Sequence, residues 1–174
     1  AVIVSGGVSV GPYDVVRAAF RELGRVDLWR VAVQPGKPFA FGTADRPDGS
    51  RVPLFGLPGN PVSTAVTFEL FVRPALRHLS GEPAPRRDAD RAILADRVST
   101  SPGRRAFLRV VAERSADGTV VRDARGRAQV RLAGGQGSHV LSALGVADAL
   151  AIVPEATEVA EAGSEVALWW LDRG

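Results

Sequence analysis

The sequence predicts a chain of two domains, an α/β domain over residues 1–84 and a small all-β barrel domain over residues 85–174. Strand-like and helix-like segments alternate in the first domain, which is typical of a parallel sheet sandwiched between helices. The second domain has short strand-like segments separated by turns, which is typical of a small β-barrel or of a sandwich. Residues 81–90 hold two prolines, a glycine and five charged residues, and this composition predicts a linker near residues 82–88.

Each segment of the first domain carries a local signal. AVIV, at the start, predicts a buried strand, and VVRAAFREL has helical spacing and ends at Gly24, a residue type favoured just after a helix. A helix is predicted from Pro61 to Gly81, with a kink or break near Pro74, which lacks the N–H that the helical ladder needs. The remaining predicted strands are DLWRVAV, PFAFGT and RVPLFGL, the last two joined by a turn that contains Pro, Asp and Gly.

The second domain is predicted from short β-like runs. ADGT between two of them is typical of a hairpin turn, and SHVLSAL has brief helical spacing. The predicted strands in chain order are RAILADRV, RAFLRVVAE, TVVRD, AQVRLA, DALAIVP and SEVALWWL.

Composition excludes several classes of function. The chain has no cysteine, so it holds neither a disulfide framework nor a thiolate metal site. The net charge is only +3 and the arginines are scattered among acidic residues, which argues against nucleic-acid binding. The sequence shows no 18-residue apolar run and no export signal, so we expect no membrane partner and a cytoplasmic location. Because it opens in a strand without Met, we expect a piece of a longer protein.

Lys37 is the one lysine among 22 basic residues, and the others are arginine. It lies in QPGKP, where Pro35 and Pro38 stiffen the turn and Gly36 allows a tight bend. An ammonium on such a turn loses little entropy on binding and suits a small oxyanion or a phosphate. The alternative, a solvated lysine, is weakened because this composition replaces lysine with arginine elsewhere.

Two glycine-rich loops are candidate anion sites. SGGVSVGPYD, residues 5–14, follows a strand and precedes a helix, the place where open α/β sheets bind ligands, and it matches neither a GxGxxG nor a Walker loop. GLPGNPVST, residues 56–64, suits a helix start that attracts anions. The alternative for GLPGNPVST is a capped helix after a tight turn. The candidate binding residues of the two loops are Ser5, Gly6, Gly7, Ser9, Asn60 (also an N-cap candidate) and Ser63.

Asp14, at the end of the first loop, has two open interpretations. In the first interpretation Asp14 caps the following helix, although a capping box would need Glu or Gln at the position of Arg17. Alternatively its carboxylate is a ligand for Mg²⁺, an ion that proteins hold with one or two carboxylates and substrate phosphates.

The second domain offers two further candidates. Ser138, in GGQGSH, presents a hydroxyl near a helix start, and Arg109 lies on a strand on the face opposite Leu108. An ordinary loop and an ordinary surface arginine are the alternatives. His78 and His139 lack metal-ligand spacing, so a histidine metal site or a Ser–His–Asp triad is not expected.

Four motifs, in this order and spacing, resemble the molybdenum insertase family, which comprises MoeA (molybdopterin molybdotransferase) and the gephyrin E domain. They are SGGVSVGPYD, PGKPFAFG, GLPGNPVS and GQGSH, joined by PGR at 102–104 and FLRV at 107–110. The resemblance implies that residues 1–84 are the later part of a MogA/MoaB-like molybdopterin-binding domain. It implies that residues 85–174 are the C-terminal β-barrel domain of MoeA, which favours the barrel over the sandwich.

The resemblance also implies an activity. The family inserts molybdate into adenylylated molybdopterin and releases AMP, with Mg²⁺ or a similar divalent cation as cofactor. It works as a homodimer, downstream of a MogA-type adenylyltransferase, in molybdenum cofactor biosynthesis. Two alternatives stand beside it, a gephyrin-like scaffold and a MogA-type adenylyltransferase, although the latter has TGGTG where this chain has SGGVS.

Roles for single residues follow from the same resemblance. Asp14 matches the metal-binding and catalytic aspartate, and Lys37, also assigned a catalytic role, lines a molybdate pocket with Pro38. That pocket, expected between the two domains, includes Ser63 from the first domain and Arg109 and Ser138 from the second. Gln34 departs from the family, which often has lysine there, so we expect either weaker molybdate binding or a greater reliance on Arg109. Since upstream parts of the family's chain have no counterpart in this sequence, we expect that this piece is inactive by itself.

Overall fold

The computed structural model describes residues 1–8, 15–83 and 89–171. The chain divides into two compact units, Ala1–Arg86 and Arg87–Gly174. The predicted boundary after residue 84 falls within residues 84–88, which lie outside the described residues, so the boundary stays a prediction. No helix in the described part of the chain is long and apolar enough to cross a membrane.

The first unit alternates strands and helices. Helix α1 starts at Val15, and the predicted second strand begins earlier than expected, at Gly24, directly after it. In chain order the elements are β1 Val2–Ser5, α1 Val15–Leu23, β2 Gly24–Arg30, β3 Val33–Gln34, β4 Pro38–Asp45, β5 Arg51–Leu57, α2 Pro61–Thr67, a π-helical segment Phe68–Val72 and α3 Arg73–Leu79.

The first unit's sheet is mixed, which corrects the prediction of a parallel sheet. Its strand order is β1-β5-β4-β2. Only β1 and β5 run parallel, whereas β4 is antiparallel to both β5 and β2. The physical reason is the short connection between β4 and β5, residues 46–50, because a parallel pair needs a crossover of a dozen or more residues. Gly49, with φ +79°, donates to the carbonyl of Arg46 at 3.0 Å and closes that turn.

Helices pack on both faces of this sheet. On one face Phe20 of α1 is buried with Ala40 and Leu54 of the sheet. On the other face Phe39 and Phe55, which neighbour those residues along β4 and β5, pack with the π-helical segment and α3. The α/β class predicted for this unit is confirmed.

The long helix after Pro61 changes form before Pro74. The π-helical segment Phe68–Val72 lies between α2 and α3, and Pro74 is the second residue of α3. Because proline has no N–H, the carbonyl one turn upstream loses its α-helical donor and the ladder widens there. The predicted irregularity is therefore confirmed, although it takes the form of a wide turn. The helix ends at Leu79, and Gly81, with φ +81°, follows.

The second unit is a closed five-stranded barrel, which confirms the predicted barrel. Its elements are β6 Asp90–Leu94, β7 Val98–Ser99, β8 Arg105–Ala112, β9 Ala128–Leu132, α4 Leu141–Val146, β10 Ala149–Val153, β11 Val159–Ala160 and β12 Glu165–Trp170. The barrel strands follow the order β10-β12-β6-β9-β8, and β8 pairs with β10 to close the ring. All neighbours are antiparallel except β6 and β9, and β7 and β11 form a separate ribbon.

The barrel interior holds apolar side chains that alternate along the strands. Ala106, Leu108 and Val110 of β8 face it, together with small residues such as Ala149 and Ala151 of β10. The predicted strand TVVRD is wrong, since that stretch makes only isolated bridges, Arg114 with Val120 and Arg122 with Ala128. Tight turns closed by Gly118 and Gly126 interrupt the backbone pairing on either side of this stretch.

Candidate functional site

The carboxyl ends of the two parallel strands β1 and β5 meet at the start of α2. The amide of Gly6 donates to the carbonyl of Leu57 at 3.0 Å, and the hydroxyl of Ser5 donates to the carbonyl of Pro58 at 3.3 Å. Gly6 and Gly7 have φ of +88° and +68°, conformations that favour glycine. The predicted glycine loop therefore starts with a turn that is fixed to the loop before α2.

A cleft of about 370 Å³ opens at this position. Open α/β sheets bind ligands beyond the carboxyl ends of their parallel strands, so its place in the fold agrees with a binding site. Of the predicted site residues, Ser5 lies in its wall. The lining residues are Ser5, Gly59, Pro61, Thr64, Ala65, Phe68 and Glu69.

Thr64 ties the start of α2 to the preceding loop. Its hydroxyl donates to the carbonyl of Asn60 at 3.1 Å, makes a short contact with the carbonyl of Pro58, and lies 3.3 Å from the hydroxyl of Ser5. Asn60 occupies the N-cap position with Pro61 after it, as predicted. Sequence reasoning missed Thr64, although a hydroxyl one turn inside a predicted helix start is a recognisable signal.

Glu69 closes the other end of the cleft. Both of its carboxylate oxygens accept from Arg73, at 2.8 Å each, and the Arg73 guanidinium also lies 5.6 Å from the centre of the Phe68 ring. These three side chains come from the π-helical segment and the first turn of α3. Because the carboxylate is already paired, Glu69 adds little free negative charge to the cleft.

Lys37 lies on the exposed tip of a turn that packs against α2. Pro35 and Gly36 are buried, whereas Lys37 is exposed. A Cβ built on Gly36 would lie only 2.5 Å from Cγ2 of Thr67 and 3.6 Å from the carbonyl oxygen of Ser63. The stiff presentation predicted for the lysine agrees with this packing.

Ser63 lies beneath that turn. It is 5% exposed, and its carbonyl accepts the Thr67 hydroxyl at 2.8 Å. The structure thus brings Ser63 and the Lys37 turn together, as predicted, but Ser63 does not appear in the wall of the 370 Å³ cleft. Pro38 is half-buried and begins β4.

In the second unit Arg109 is 1% exposed and is held by a glycine-rich loop. Its Nη2 donates to the carbonyls of Gly135 and Gly137 at 3.1 and 3.2 Å. Its Nε is buried and has no hydrogen-bond partner among the described residues. Burial lowers the pKa of Arg109 below its usual range, and no carboxylate of the described residues offsets this desolvation.

The loop that holds Arg109 is the predicted GGQGSH motif. Ser138 is half-buried at its end, and the ring of His139 lies over the backbone of Gly137, where a Cβ would come within 2.7 Å of Cε1. The structure therefore brings Arg109 and the Ser138 loop together, as predicted. Gln136, which the sequence did not single out, donates to and accepts from the backbone of Arg109.

Ser9 and Asp14 lie outside the described residues, so their predicted roles remain predictions. Among residues 1–8, 15–83 and 89–171 there is no group of three histidine or acidic side chains that fits a metal ion. The paired Glu69 does not supply a free ligand. The predicted Mg²⁺ site therefore depends on Asp14.

Two known domain families match the chain in succession. Residues 1–78 match the family described as probable molybdopterin binding domain. Residues 91–171 match the family described as MoeA C-terminal region (domain IV).

Individual proteins match the chain as well, two of them over nearly its whole length and one over less than half of it. Molybdopterin molybdenumtransferase 2 of Mycobacterium tuberculosis is 36% identical over 97% of this chain and 39% of its own length. Gephyrin of Dictyostelium discoideum is 44% identical over 46% of the chain and 13% of its own length. Among solved structures, a molybdopterin biosynthesis MoeA protein from Pyrococcus horikoshii superposes with a TM-score of 0.67 at 31% identity, covering 98% of this chain and 37% of that one. The chain thus spans about two fifths of the length of the curated molybdenumtransferase that it matches.

Proposed function

The chain belongs to the MoeA and gephyrin E-domain family, and from this membership we propose that it acts in molybdenum cofactor biosynthesis as a molybdopterin molybdenumtransferase. The proposed reaction inserts molybdate into adenylylated molybdopterin and releases AMP. Each of these substrates is an anion, so the residues that should serve the reaction are fixed cations and hydrogen-bond donors.

The buried guanidinium of Arg109 is the observation that carries the proposal. A charged group in a dry site costs free energy unless it is paired, and Arg109 has only carbonyl partners among the described residues. Its Nε N–H has no acceptor in the part of the chain that the structure describes. An oxyanion on that N–H would supply both the missing charge and the missing hydrogen bond. We assign Arg109, with the Ser138 hydroxyl, to oxyanion binding.

Lys37 is the corresponding group of the first unit. Its ammonium stands on an exposed tip whose base, Gly36, packs against α2. A point charge on a rigid turn binds a compact oxyanion with little loss of backbone entropy, and an ammonium needs no fixed orientation of the oxyanion. We propose that Lys37 stabilises the negative charge of the substrate and that Pro38 and Ser63 shape the surroundings of Lys37.

The glycine loop and the cleft suit the larger substrate. We assign Ser5, Gly6, Gly7 and Ser9 to adenylylated molybdopterin, together with Asn60 at the start of α2. Support comes from the place of the cleft beyond β1 and β5 and from the hydroxyl of Ser5 in its wall. Its volume of about 370 Å³ lies in the range of small-molecule sites.

Asp14 would hold Mg²⁺, because a carboxylate oxygen is the ligand this ion prefers. When bound, Mg²⁺ would neutralise phosphate charge on the leaving AMP. From the same family membership we propose that the full-length protein forms a homodimer and receives its adenylylated substrate from a MogA-type adenylyltransferase. We also propose a cytoplasmic location.

Two alternatives account for less of the chain. A MogA-type adenylyltransferase leaves the second unit unexplained, because residues 91–171 match the MoeA C-terminal region. A gephyrin-like scaffold does not need a buried guanidinium without an acidic partner. Neither alternative is favoured by an observation of its own.

Molybdate titration by calorimetry tests the proposal. We expect Lys37→Ala to weaken molybdate binding by about ten- to a hundred-fold, since a charge-assisted hydrogen bond contributes roughly 1.5–3 kcal/mol. Gln34→Lys should tighten it and make it more salt-sensitive. Arg46→Ala, in the exposed turn after β4, is the matched control and should bind like wild type. Unchanged binding by Lys37→Ala would refute the assignment of Lys37.

A further inference from the structure

The side chain of Gln136 takes a place in the hydrogen-bond ladder of strand β8. The backbone N–H of Arg109 donates to Oε1 of Gln136 at 2.9 Å, and Nε2 of Gln136 donates to the carbonyl of Arg109 at 3.1 Å. A carboxamide has the same donor and acceptor as a peptide group, so it can pair with a strand as a neighbouring residue would.

The pairing stands where strand β9 ends. The register of β8 and β9 runs to Val110 opposite Leu132, and Ala133 still donates to the carbonyl of Arg109 at 2.9 Å. At Gly134, with φ +123°, the chain turns away. Gln136 returns its carboxamide to the position that the turn has vacated, and Nε2 also donates to the Gly134 carbonyl at 2.9 Å.

The guanidinium of Arg109 makes the reciprocal contact. Its Nη2 donates to the carbonyls of Gly135 and Gly137, the residues on either side of Gln136. Strand and loop are therefore joined twice, once through the Gln136 side chain and once through the Arg109 side chain. We call this double connection the Arg109–Gln136 clasp.

The clasp matters because three residues of the loop are glycines. Gly134, Gly135 and Gly137 have no side chain to restrict them, and glycine loses more backbone entropy on ordering than any other residue. Without the carboxamide, the carbonyls that hold Nη2 would sample many positions. The guanidinium would follow them, and its Nε N–H would lose a fixed direction.

We propose that Gln136 is a positioning residue, which holds the Arg109 guanidinium in the one orientation that leaves its buried Nε N–H available to a bound oxyanion. The inference deepens the proposed function and rests on its assignment of Arg109 to oxyanion binding. Gln136 itself touches no substrate in this account and acts through Arg109.

The chemistry of Gln136 makes two substitutions informative. Gln136→Ala removes both halves of the backbone pairing. Gln136→Glu keeps an acceptor for the Arg109 N–H, loses the donor to the Arg109 carbonyl, and places a carboxylate beside the guanidinium, where it competes with an oxyanion. Gln129→Ala, a carboxamide on β9 outside the clasp, is the matched control.

The test is a double-mutant cycle read by calorimetry with molybdate as the probe. We expect Gln136→Ala to weaken molybdate binding about ten-fold in the wild-type background. In an Arg109→Lys background, where the forked guanidinium is absent, the same change should cost less than about two-fold. Gln136→Glu, which keeps part of the pairing, should fold and weaken binding at least as much. Gln129→Ala should bind like wild type.

Each other outcome overturns the inference. Equal losses from Gln136→Ala in both backgrounds would show a general structural role, and no loss would show that the clasp does not affect binding. If Gln136→Ala does not fold, Gln136→Glu that binds molybdate as wild type does would refute it as well. If Gln136→Ala has no effect while Arg109→Lys still weakens binding, the inference fails and the proposed function stands. If wild-type protein does not bind molybdate, both fail.

Discussion

Gly36 is the residue on which the presentation of Lys37 most directly depends. It combines φ of +115° with a packed environment, since a Cβ would lie 2.5 Å from Cγ2 of Thr67. A side chain there is strained by the backbone and obstructed by α2. The rigid turn that carries the lysine therefore requires glycine for two separate reasons.

The two reasons can be separated by comparing Gly36→Ala with Gly49→Ala. Gly49 also has a positive φ, +79°, but a Cβ there would meet nothing within 4 Å. We expect Gly49→Ala to lower the free energy of unfolding by about 1–2 kcal/mol, the cost of a left-handed backbone. Gly36→Ala should lose about 1–3 kcal/mol more, because the buried methyl overpacks. Equilibrium urea unfolding measures both, and equal losses would show that the Thr67 contact relaxes at no cost.

At the scale of residues, the sequence predicted the charged members of the site better than the residues that hold them. Lys37 stood out by composition, and Arg109 and Ser138 by their motifs. Thr64 and Gln136 were missed because their roles consist of hydrogen bonds to backbone carbonyls and amides. Such bonds depend on where a loop returns to a strand, and residue types alone do not carry that information.

At the scale of elements, Asp90 at the start of β6 connects three segments of the barrel unit. Its carboxylate accepts from the Arg122 guanidinium at 2.6 Å, from the indole N–H of Trp170 at 2.9 Å and from the backbone N–H of Arg91 at 2.7 Å. The Arg122 hydrogen bond is the largest cause that holds the pKa of Asp90 well below its usual 3.8, and Trp170 adds to it. Strand β12 and the turn after Arg122 are thereby joined to β6.

This cluster makes the stability of the unit depend on pH. A carboxyl group whose pKa is depressed by folding stabilises the folded state above its unfolded pKa, and that contribution is lost as the pH falls through the folded pKa. We expect Asp90→Asn to lower the free energy of unfolding by about 1–2 kcal/mol at pH 7. The difference from wild type should shrink as the pH falls below about 4. Urea unfolding of both proteins across that range provides the measurement.

Glu158→Gln is the matched control for this prediction. It also exchanges a carboxylate for an amide in the barrel unit, but its side chain is exposed. We expect its stability to follow that of wild type at each pH. A destabilisation by Asp90→Asn that is constant from pH 7 to pH 2 would contradict the electrostatic explanation and leave only lost packing.

The elements themselves were predictable where their signals are local. RVPLFGL matches strand β5, Arg51–Leu57, and VVRAAFREL matches helix α1, Val15–Leu23, residue for residue. The two-residue strands β7 and β11 were missed because each exists only by pairing with the other, about 60 residues away in sequence. The antiparallel pairing of β2 with β4 likewise depends on partners that local patterns do not specify.

At the scale of the whole molecule, the sequence predicted both fold classes and the family, because it contains four motifs of the family in the family's order. The matches to two domain families in succession agree with that order. What the sequence did not supply is the internal architecture of each unit, the mixed sheet of the first and the ring closure of β8 with β10 in the second. Strand order results from chain connections and packing, which periodicity does not record.

We propose that the protein inserts molybdenum and that Asp14 and Arg109 take part in the reaction. This proposal is tested most directly by AMP release and active-cofactor formation by the full-length protein, given adenylylated molybdopterin, molybdate and Mg²⁺. We predict that wild type and Arg46→Ala release AMP only with molybdate present and yield active cofactor. Asp14→Asn and Arg109→Lys should each lose at least about a hundred-fold in rate, and Asp14→Asn should melt near wild type. No cofactor from wild type, or full activity of both variants, would contradict the account.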